Sequence, residues 1–281
     1  MTEHFSDAFW RAIDTAYEST LPYRQLHCII CDHSAPRDSF ELLVDRCMFG
    51  GGKLERYRGP ECECIFGPQK YLDLDESFVA RDYRLLYLHY KEADSMVNEI
   101  RTFKSLRPVP NGLYLDWGCG GGWSQTVTRL RSENWDVWGY EPGAEAATHF
   151  VVNKRDAISA RFDGIFSNNV IEHFRNPVAQ FNDFHSLLNH GGTMAHSSPC
   201  YKYAYAFTRF HTVFLVGAIA TCPRRAHGLQ SGRSHSGERV HQLPICACLT
   251  QLRSRRRTLH RVFTPGITAQ RPPLDLGTLD E

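Results

Sequence analysis

The chain of 281 residues carries 32 Lys and Arg against 31 Asp and Glu, which leaves a formal net charge of +1. A charge this close to zero gives no overall attraction to nucleic acid or to anionic membranes. The first ten residues lack the apolar core of a signal peptide. The longest apolar run, 213–220, is far shorter than the roughly 20 residues of a membrane span. The sequence therefore predicts a cytoplasmic protein.

The first predicted region covers residues 1–70. Phe5, Phe9, Ile13 and Ala16 recur at helical spacing, which predicts an amphipathic helix over 3–17. A loop-rich segment with three consecutive glycines follows, and then a hairpin is expected over 54–66.

Cysteine is concentrated in this first region, because five of the ten cysteines lie between Cys28 and Cys64. In a reducing compartment such a cluster points to metal more than to disulfides. Cys28 and Cys31 form a C-x-x-C pair, and Cys62 and Cys64 follow some thirty residues later. Four thiolates from two pairs make a tetrahedral zinc site, so these four are the candidate zinc ligands.

The second cysteine pair is irregular, which leaves alternatives open. A C-x-x-C pair that ends at Cys62 needs cysteine at position 59, where the chain has Gly59. Cys47 is an alternative to Cys64 as the fourth ligand. The other alternative is a set of buried or free thiols that hold no metal.

The second predicted region, residues 71–216, alternates helices and strands. A helix is expected over 78–103. Strands then follow at 113–116, 136–140, 162–167 and 193–197, and helices at 124–132, 143–152 and 177–188, the last ended by Gly191 and Gly192. This alternation predicts an α/β fold, a parallel sheet with helices on both faces.

The third predicted region, residues 217–281, has a different composition. It contains ten Arg, no Lys and a single aromatic residue, Phe263. A stretch of this kind cannot bury much apolar surface, so we expect a basic tail of low order. Two explanations stay open: a change of reading frame near Gly217, which would make the tail aberrant, or a natural disordered tail.

The most informative segment runs from the first strand of the second region into a glycine turn. Asp116 precedes Gly118, Gly120 and Gly122 in a G-x-G-x-G pattern. The dinucleotide fingerprint G-x-G-x-x-G would need its third glycine at position 123, which is Trp123. A carboxylate such as Asp116 instead suits a ligand with a cationic end. S-adenosylmethionine (SAM) is such a ligand, with a sulfonium, an ammonium group and no pyrophosphate.

Glu141 ends the next predicted strand, 19 residues after Gly122. A carboxylate accepts hydrogen bonds through both oxygens, so it can bind the two hydroxyls of a ribose.

With these residues the chain resembles the class I SAM-dependent methyltransferase family over about residues 80–216. The resemblance rests on Leu115-Asp116-x-Gly118-x-Gly120-x-Gly122, Glu141, Phe162-Asp163-Gly164-Ile165-Phe166, Val170-Ile171-Glu172-His173-Phe174 and Leu187-Leu188-Asn189-His190-Gly191-Gly192. Family members often have a proline where this chain has His190. The resemblance implies a Rossmann-like sheet. It also implies that the N-terminal cysteines form a zinc-ribbon-like element, as in some methyltransferases.

The resemblance also implies roles for individual residues. Asp116 and the glycines would hold the methionine part of SAM, and Glu141 the ribose. Asp156 would bind the adenine amino group, and Asn168 and Asn169 would line the pocket.

His173 is the candidate general base for an acceptor that carries a proton, with Glu172 and His211 as alternatives. The competing interpretation is that His173 packs beneath the loop. The predicted activity is methyl transfer to a small-molecule acceptor. The alternatives are an inactive SAM-binding homologue and, with less support, a nucleic-acid-binding protein that uses the arginines at 253 and 255–257. The sequence predicts no oligomeric state.

Overall fold

A computed structural model describes residues 2–49, 52–87, 95–121, 123–199, 201, 208–216 and 239–243. Within these ranges the chain forms three β-sheets, of two, four and six strands. None of the helices in these ranges is long and apolar enough to cross a membrane.

The N-terminal region is built from one long helix and five short strands. They are α1 (Thr2–Thr20), β1 (Gln25–His27), β2 (Ser34–Pro36), β3 (Glu41–Arg46), β4 (Lys53–Arg58) and β5 (Ile65–Phe66), followed by the short α2 (Gln69–Leu72). The helix predicted over 3–17 is confirmed. The hairpin predicted over 54–66 is present as the antiparallel pair β4–β5, with Tyr57 opposite Phe66. The pairing of β3 with β4 was not predicted.

Two helices stand where one was predicted over 78–103. They are α3 (Glu76–Tyr87) and α4 (Met96–Ser105), and the residues 88–94 between them lie outside the described ranges. The prediction of one continuous helix is wrong, because Ser95 is the N-cap of a separate helix whose first turn bonds to the Ser95 carbonyl. Serine is better accommodated at helix ends than in helix interiors.

The second region forms the central sheet. Its elements are β6 (Leu113–Trp117), α5 (Gln125–Ser132), β7 (Asp136–Tyr140), β8 (Val151–Val152), β9 (Phe162–Asn168), α6 (Pro177–Leu187) and β10 (Leu188–Ser198). The later strand β11 (Val213–Phe214) belongs to the four-stranded sheet, and β12 (Arg239–Leu243), from the third region, is the sixth strand of the central sheet. The strand order is β12-β10-β9-β6-β7-β8. The five strands from β10 to β8 are parallel, and β12 pairs antiparallel with β10.

This strand order reverses between β6 and β9. The chain proceeds outward through β7 and β8 and then returns to β9 on the other side of β6. Ligands of open α/β sheets bind at the carboxyl ends of the strands that flank such a reversal. The topology therefore places the expected site at the ends of β6 and β9.

Helices cover both faces of the central sheet, as predicted. On one face Trp117 packs against Phe184 of α6, with ring centroids 4.8 Å apart. On the other face Tyr114 packs against Phe103 of α4, with centroids 5.2 Å apart, and belongs to the same buried cluster as Val127 of α5. Successive side chains of a strand point to opposite faces, so β6 contributes to two apolar cores.

The helix predicted over 143–152 is wrong, because that segment makes turns and ends in the short strand β8. Gly139 and Glu141 of the β7 end donate their N–H groups to Phe150 O and Val152 O at 2.8 and 3.0 Å. Two adjacent β-branched residues favour a strand, and both valines of β8 are buried. Sheet pairing thus outweighs the helix-favouring alanines before them.

The last predicted strand is longer than expected. The helix predicted over 177–188 ends at Leu187 and passes directly into β10, which contains the strand expected over 193–197. The register against β9 shifts between Leu188 and Thr193, and Gly191 in that interval has a φ of +80°. Gly191 therefore lies within a bulged strand and does not mark the end of the helix.

The N-terminal region and the central sheet share one core. Strand β11 completes the four-stranded sheet in the order β11-β5-β4-β3. Cys28, Phe66 and Leu115 belong to the same buried cluster. Strand β12 lies within the region predicted as a tail, and the rest of 217–281 is outside the described ranges. The three domain boundaries stay predictions.

Candidate functional site

The glycine turn after β6 has the backbone geometry that its sequence predicts. Gly118 and Gly120 have φ angles of +75° and +77°, in the left-handed region that favours glycine. A Cβ at Gly118 would lie 2.5 Å from Val170 Cγ2, whereas one at Gly120 or Gly121 would meet no atom within 4 Å. The turn is thus packed on one side and open on the other. Gly122, the third predicted glycine, lies outside the described residues.

The end of β7 is tied to this turn. Gly118 N–H donates to Tyr140 O at 2.8 Å. Glu141 accepts from Gly120 N–H through Oε2 at 3.1 Å and from Gly143 N–H through Oε1 at 2.9 Å. The structure therefore brings Glu141 to the glycine turn, as expected for the tips of adjacent parallel strands.

Asp116 lies beneath the turn and is 1% exposed. Burial, followed by the negative charges of Glu99 and Glu141, raises the pKa of Asp116 well above its usual range. In the part of the chain that the structure describes, Asp116 Oδ2 is buried without a hydrogen-bond partner. Three carboxyl groups thus interact electrostatically at one place, an arrangement that favours a cation.

Glu99 is the member of this group that the sequence analysis missed. It lies on α4 and accepts hydrogen bonds from the hydroxyls of Ser95 and Thr126. No local motif marks it, because only the packing of α4 against α5 brings it near Asp116. The available signal in the sequence is that Glu99 lies on α4, the helix that directly precedes β6 and the glycine turn.

Asn168 ends β9, the strand on the other side of β6. It is 6% exposed, and neither its Oδ1 nor its Nδ2 has a hydrogen-bond partner among the described residues. In the sheet Phe166 is paired with Asp116, so Asn168 lies two residues beyond that pair. Buried amides nearly always have partners, and an amide without one at a strand tip is suited to a ligand.

The structure places Asp156 apart from this group. It is exposed on a 3-10 turn, Arg155–Ala157, that follows β8. Beside it, Arg155 makes two hydrogen bonds to Asp183 at 2.7 and 2.6 Å. Because β8 is parallel to β6 and two strands away, Asp156 lies at the same edge of the sheet as Glu141.

Glu172, His173 and His211 form a second group, next to the glycine turn through Val170. Glu172 is fully buried, and its Oε1 lies 4.0 Å from Nε2 of each histidine. Thr212 N–H donates to Glu172 O at 2.7 Å, which holds the segment from residue 208 against the end of β9. The structure thus brings the predicted base together with both of its alternatives.

The surroundings of both histidines favour the uncharged imidazole. Burial lowers the pKa of His173 to about 4. Burial, and then the nearby His173 and Arg56, lower the pKa of His211 well below its usual range. A neutral imidazole can accept a proton or bind a metal ion.

Three of the four predicted zinc ligands come together. The Sγ atoms of Cys28, Cys31 and Cys62 all lie within 4.8 Å of one another, and those of Cys28 and Cys62 are 3.5 Å apart. A Cβ at Gly59 would lie 3.3 Å from Cys62 Sγ and 3.5 Å from Cys28 Sγ. The position that the sequence pattern assigns to a fourth cysteine is therefore beside the cluster.

Cys64 lies outside this cluster, although it also adjoins Cys62. Its Sγ contacts Phe214 O at 3.4 Å and Ile65 O at 3.7 Å. Cys47, the alternative fourth ligand, lies 3.7 Å from an Arg209 nitrogen. The structure therefore assembles three groups of predicted residues: the three-cysteine cluster, the glycine turn with Asp116 and Glu141, and the group of Glu172, His173 and His211.

A sequence family described as "Methyltransferase domain" matches residues 88–242, more than half of the chain. The chain belongs to this methyltransferase family, which confirms the resemblance drawn from the glycine turn and the spaced acid. The match extends beyond residue 217 into β12. No protein of curated function matches the chain.

Several solved methyltransferase structures are similar to the chain. The glycopeptide N-methyltransferase MtfA is 16% identical, with 37% of this chain and 53% of that one covered at a TM-score of 0.30. The mycolic acid cyclopropane synthase CmaA1 is 24% identical, with 36% and 41% covered at 0.30. The methyltransferase CcbJ from Streptomyces caelestis is 15% identical, with 40% and 53% covered at 0.30. The chain thus spans about half the length of these proteins.

Proposed function

We propose that this chain binds SAM at the glycine turn and transfers its methyl group to a small-molecule acceptor. The observation that carries the proposal is the glycine turn itself: the buried carboxyl group of Asp116 precedes it, Glu141 is hydrogen-bonded to Gly120, and the space beside Gly120 is open. Family membership supports the same reaction.

Charge distinguishes SAM from a dinucleotide at this site. One carboxylate and one cation about 5 Å apart attract each other by ~3 kcal/mol at an effective dielectric constant of about 20. Glu99 and Glu141 would therefore favour the sulfonium and ammonium groups of SAM, and a bound cation would in turn favour the ionised form of Asp116. The same carboxylates would repel the pyrophosphate of NAD.

The polar groups around the turn fit the rest of the cofactor. Asp116 Oδ2 and both side-chain polar atoms of Asn168 are buried, with no partner among the described residues, and are available to the ligand. Each oxygen of Glu141 accepts one backbone N–H and retains a further lone pair for a ribose hydroxyl. Asp156 is our proposal for the adenine contact, at the outer end of the same edge.

Methyl transfer needs alignment more than activation. The bond from the methyl carbon to sulfur breaks as the bond to the acceptor forms, and the sulfonium becomes a neutral thioether. Holding donor and acceptor in line supplies much of the rate enhancement. A proton lost by the acceptor passes to His173 in our proposal, although a base of pKa about 4 is weak.

Calorimetric titration tests the proposal, with SAM and NAD as separate ligands. We expect saturable binding of SAM and none of NAD. Asp116→Asn should weaken SAM binding by about 100-fold, which corresponds to ~3 kcal/mol. Asp136→Asn is the matched control, because Asp136 begins the adjacent strand at the opposite edge of the sheet and is half exposed.

If the chain bound NAD and did not bind SAM, the proposal would be wrong. Equal losses of SAM affinity in the Asp116 and Asp136 variants would refute the role of the buried carboxylate. SAM binding without formation of S-adenosylhomocysteine across a panel of small-molecule acceptors would favour the inactive homologue. The arginines at 253 and 255–257, on which the nucleic-acid alternative rests, lie outside the described residues.

A further inference from the structure

Glu172, His173 and His211 form a group of potential metal ligands that the proposed SAM contacts do not include. One carboxylate oxygen and one ring nitrogen from each histidine all lie within 4.8 Å of one another. The two rings are nearly perpendicular, at 82°, with centroids 4.7 Å apart. Their Nε2 atoms are both 4.0 Å from Glu172 Oε1.

This donor set matches a known class of metal site. Two histidines and one carboxylate bind zinc, with a further position open for substrate, and also bind other first-row divalent ions. Bonds of about 2.1 Å put such ligand atoms roughly 3.0–3.4 Å apart. The two pairs between Glu172 Oε1 and a histidine Nε2, at 4.0 Å, would therefore shorten by about 0.6–1.0 Å when an ion binds.

The surroundings hold the ligands in place. His173 contacts the backbone carbonyl of Phe210, the kind of outer hydrogen bond that orients a metal-binding imidazole. Thr212 Oγ1 donates to Phe174 O at 2.9 Å and fixes the two segments together. Arg56 is the nearby charge that disfavours a cation, and the carboxylate of Glu172 offsets it.

We propose that Glu172, His173 and His211 bind one divalent first-row transition metal ion. The binding itself is independent of SAM. Its use in catalysis rests on the proposed function: Val170 joins this group to the glycine turn, so the ion would hold an oxygen or nitrogen of the acceptor and lower the pKa of its proton. In the metal-bound form His173 would be a ligand, and the acceptor's proton, made more acidic by the ion, would pass to solvent water instead of to His173.

Titration with Co²⁺ alone, without SAM, tests the site on the full chain. A Cys28→Ser/Cys31→Ser variant removes the three-cysteine cluster as a competing site. We expect this variant to bind one Co²⁺ with visible absorption bands of nitrogen and oxygen ligands and no thiolate charge-transfer band. Adding His211→Gln or Glu172→Gln should weaken that binding at least tenfold, and circular dichroism checks that each variant is folded.

Two results would overturn the site. One is a folded double-serine variant that binds no Co²⁺ saturably, and the other is unchanged affinity in both added variants. The unsubstituted chain gives a reading that needs no variant: if its bound Co²⁺ shows thiolate bands only, the proposal is wrong. SAM titration in the absence of metal reports separately on the proposed function, so the two failures are distinguishable.

Discussion

Replacing Gly118 by alanine should destabilise the protein in a way that depends on one neighbour, Val170. Gly118 and Gly120 have nearly the same φ, +75° and +77°, but only a Cβ at Gly118 meets Val170 Cγ2, at 2.5 Å. The left-handed conformation costs a non-glycine residue about 1–2 kcal/mol, and overpacking costs about 1–3 kcal/mol more. We expect Gly118→Ala to lose about 2–5 kcal/mol and Gly120→Ala about 1–2 kcal/mol.

A double-mutant cycle isolates the contact. Val170→Ala removes the clashing methyl groups, so Gly118→Ala in that background should cost only the backbone part. The double variant should therefore lose about 1–3 kcal/mol less stability than the sum of the losses in the two single variants. Urea unfolding of the four proteins, with equal m-values as the check on two-state behaviour, measures it. Equal losses for the two glycine variants, or additive losses for Gly118 and Val170, would refute the close contact between these two residues.

The same pair of variants separates stability from binding. The space beside Gly120 is open, so a methyl group there disturbs the fold little but enters the volume assigned to the ligand. Gly120→Ala should therefore be the more stable variant, and its SAM affinity should fall below that of the wild type. Unchanged SAM affinity in Gly120→Ala would place the ligand elsewhere.

Three further outcomes follow from charge and from the cysteines. Burial raises the pKa of Asp116 in the folded state, so its ionisation destabilises the wild type as pH rises above the ordinary value of about 4. The melting temperature of Asp116→Asn, relative to that of the wild type, should therefore increase with pH. A difference in melting temperature that is constant with pH would contradict this. Asp82→Ala removes the carboxylate that accepts two hydrogen bonds from the buried Arg209, at 2.7 and 2.9 Å, and should lower the free energy of unfolding in urea by about 3–5 kcal/mol. Arg129→Ala, which breaks an exposed ion pair, should lower it by at most ~1 kcal/mol. Similar losses in the two variants would be inconsistent with the difference in burial. Gly59→Cys should tighten Zn²⁺ binding in competition with a chromophoric chelator, and no gain would argue against a metal at the three-cysteine cluster.

Much of the central sheet was predictable because its strands are apolar and buried. The strands predicted at 113–116, 136–140 and 162–167 are all present, and the helix between the first two begins where Ser124 accepts from Val127 N–H at 3.1 Å. The segment 143–152 was misassigned because alanines favour a helix locally, whereas pairing with β7 is a tertiary effect. The bulge in β10 depends on its register against β9, which no local pattern records.

The cofactor side of the site was predictable for a topological reason. Residues that end adjacent parallel strands meet at one edge, and this brings Asp116 and Glu141 together. Glu99 was missed because its approach depends on how α4 packs. The grouping of His211 with Glu172 likewise depends on tertiary packing, because the two residues are separated by about forty positions in the sequence.

A crystal structure of the chain with S-adenosylhomocysteine, the product left after methyl transfer, would test the central claim most directly. We predict that the ligand lies across the ends of β6 and β7, with its amino group beside Asp116 and its ribose hydroxyls on Glu141. Density for the ligand at another edge of the sheet, or an Asp116 carboxylate that does not contact it, would contradict the account.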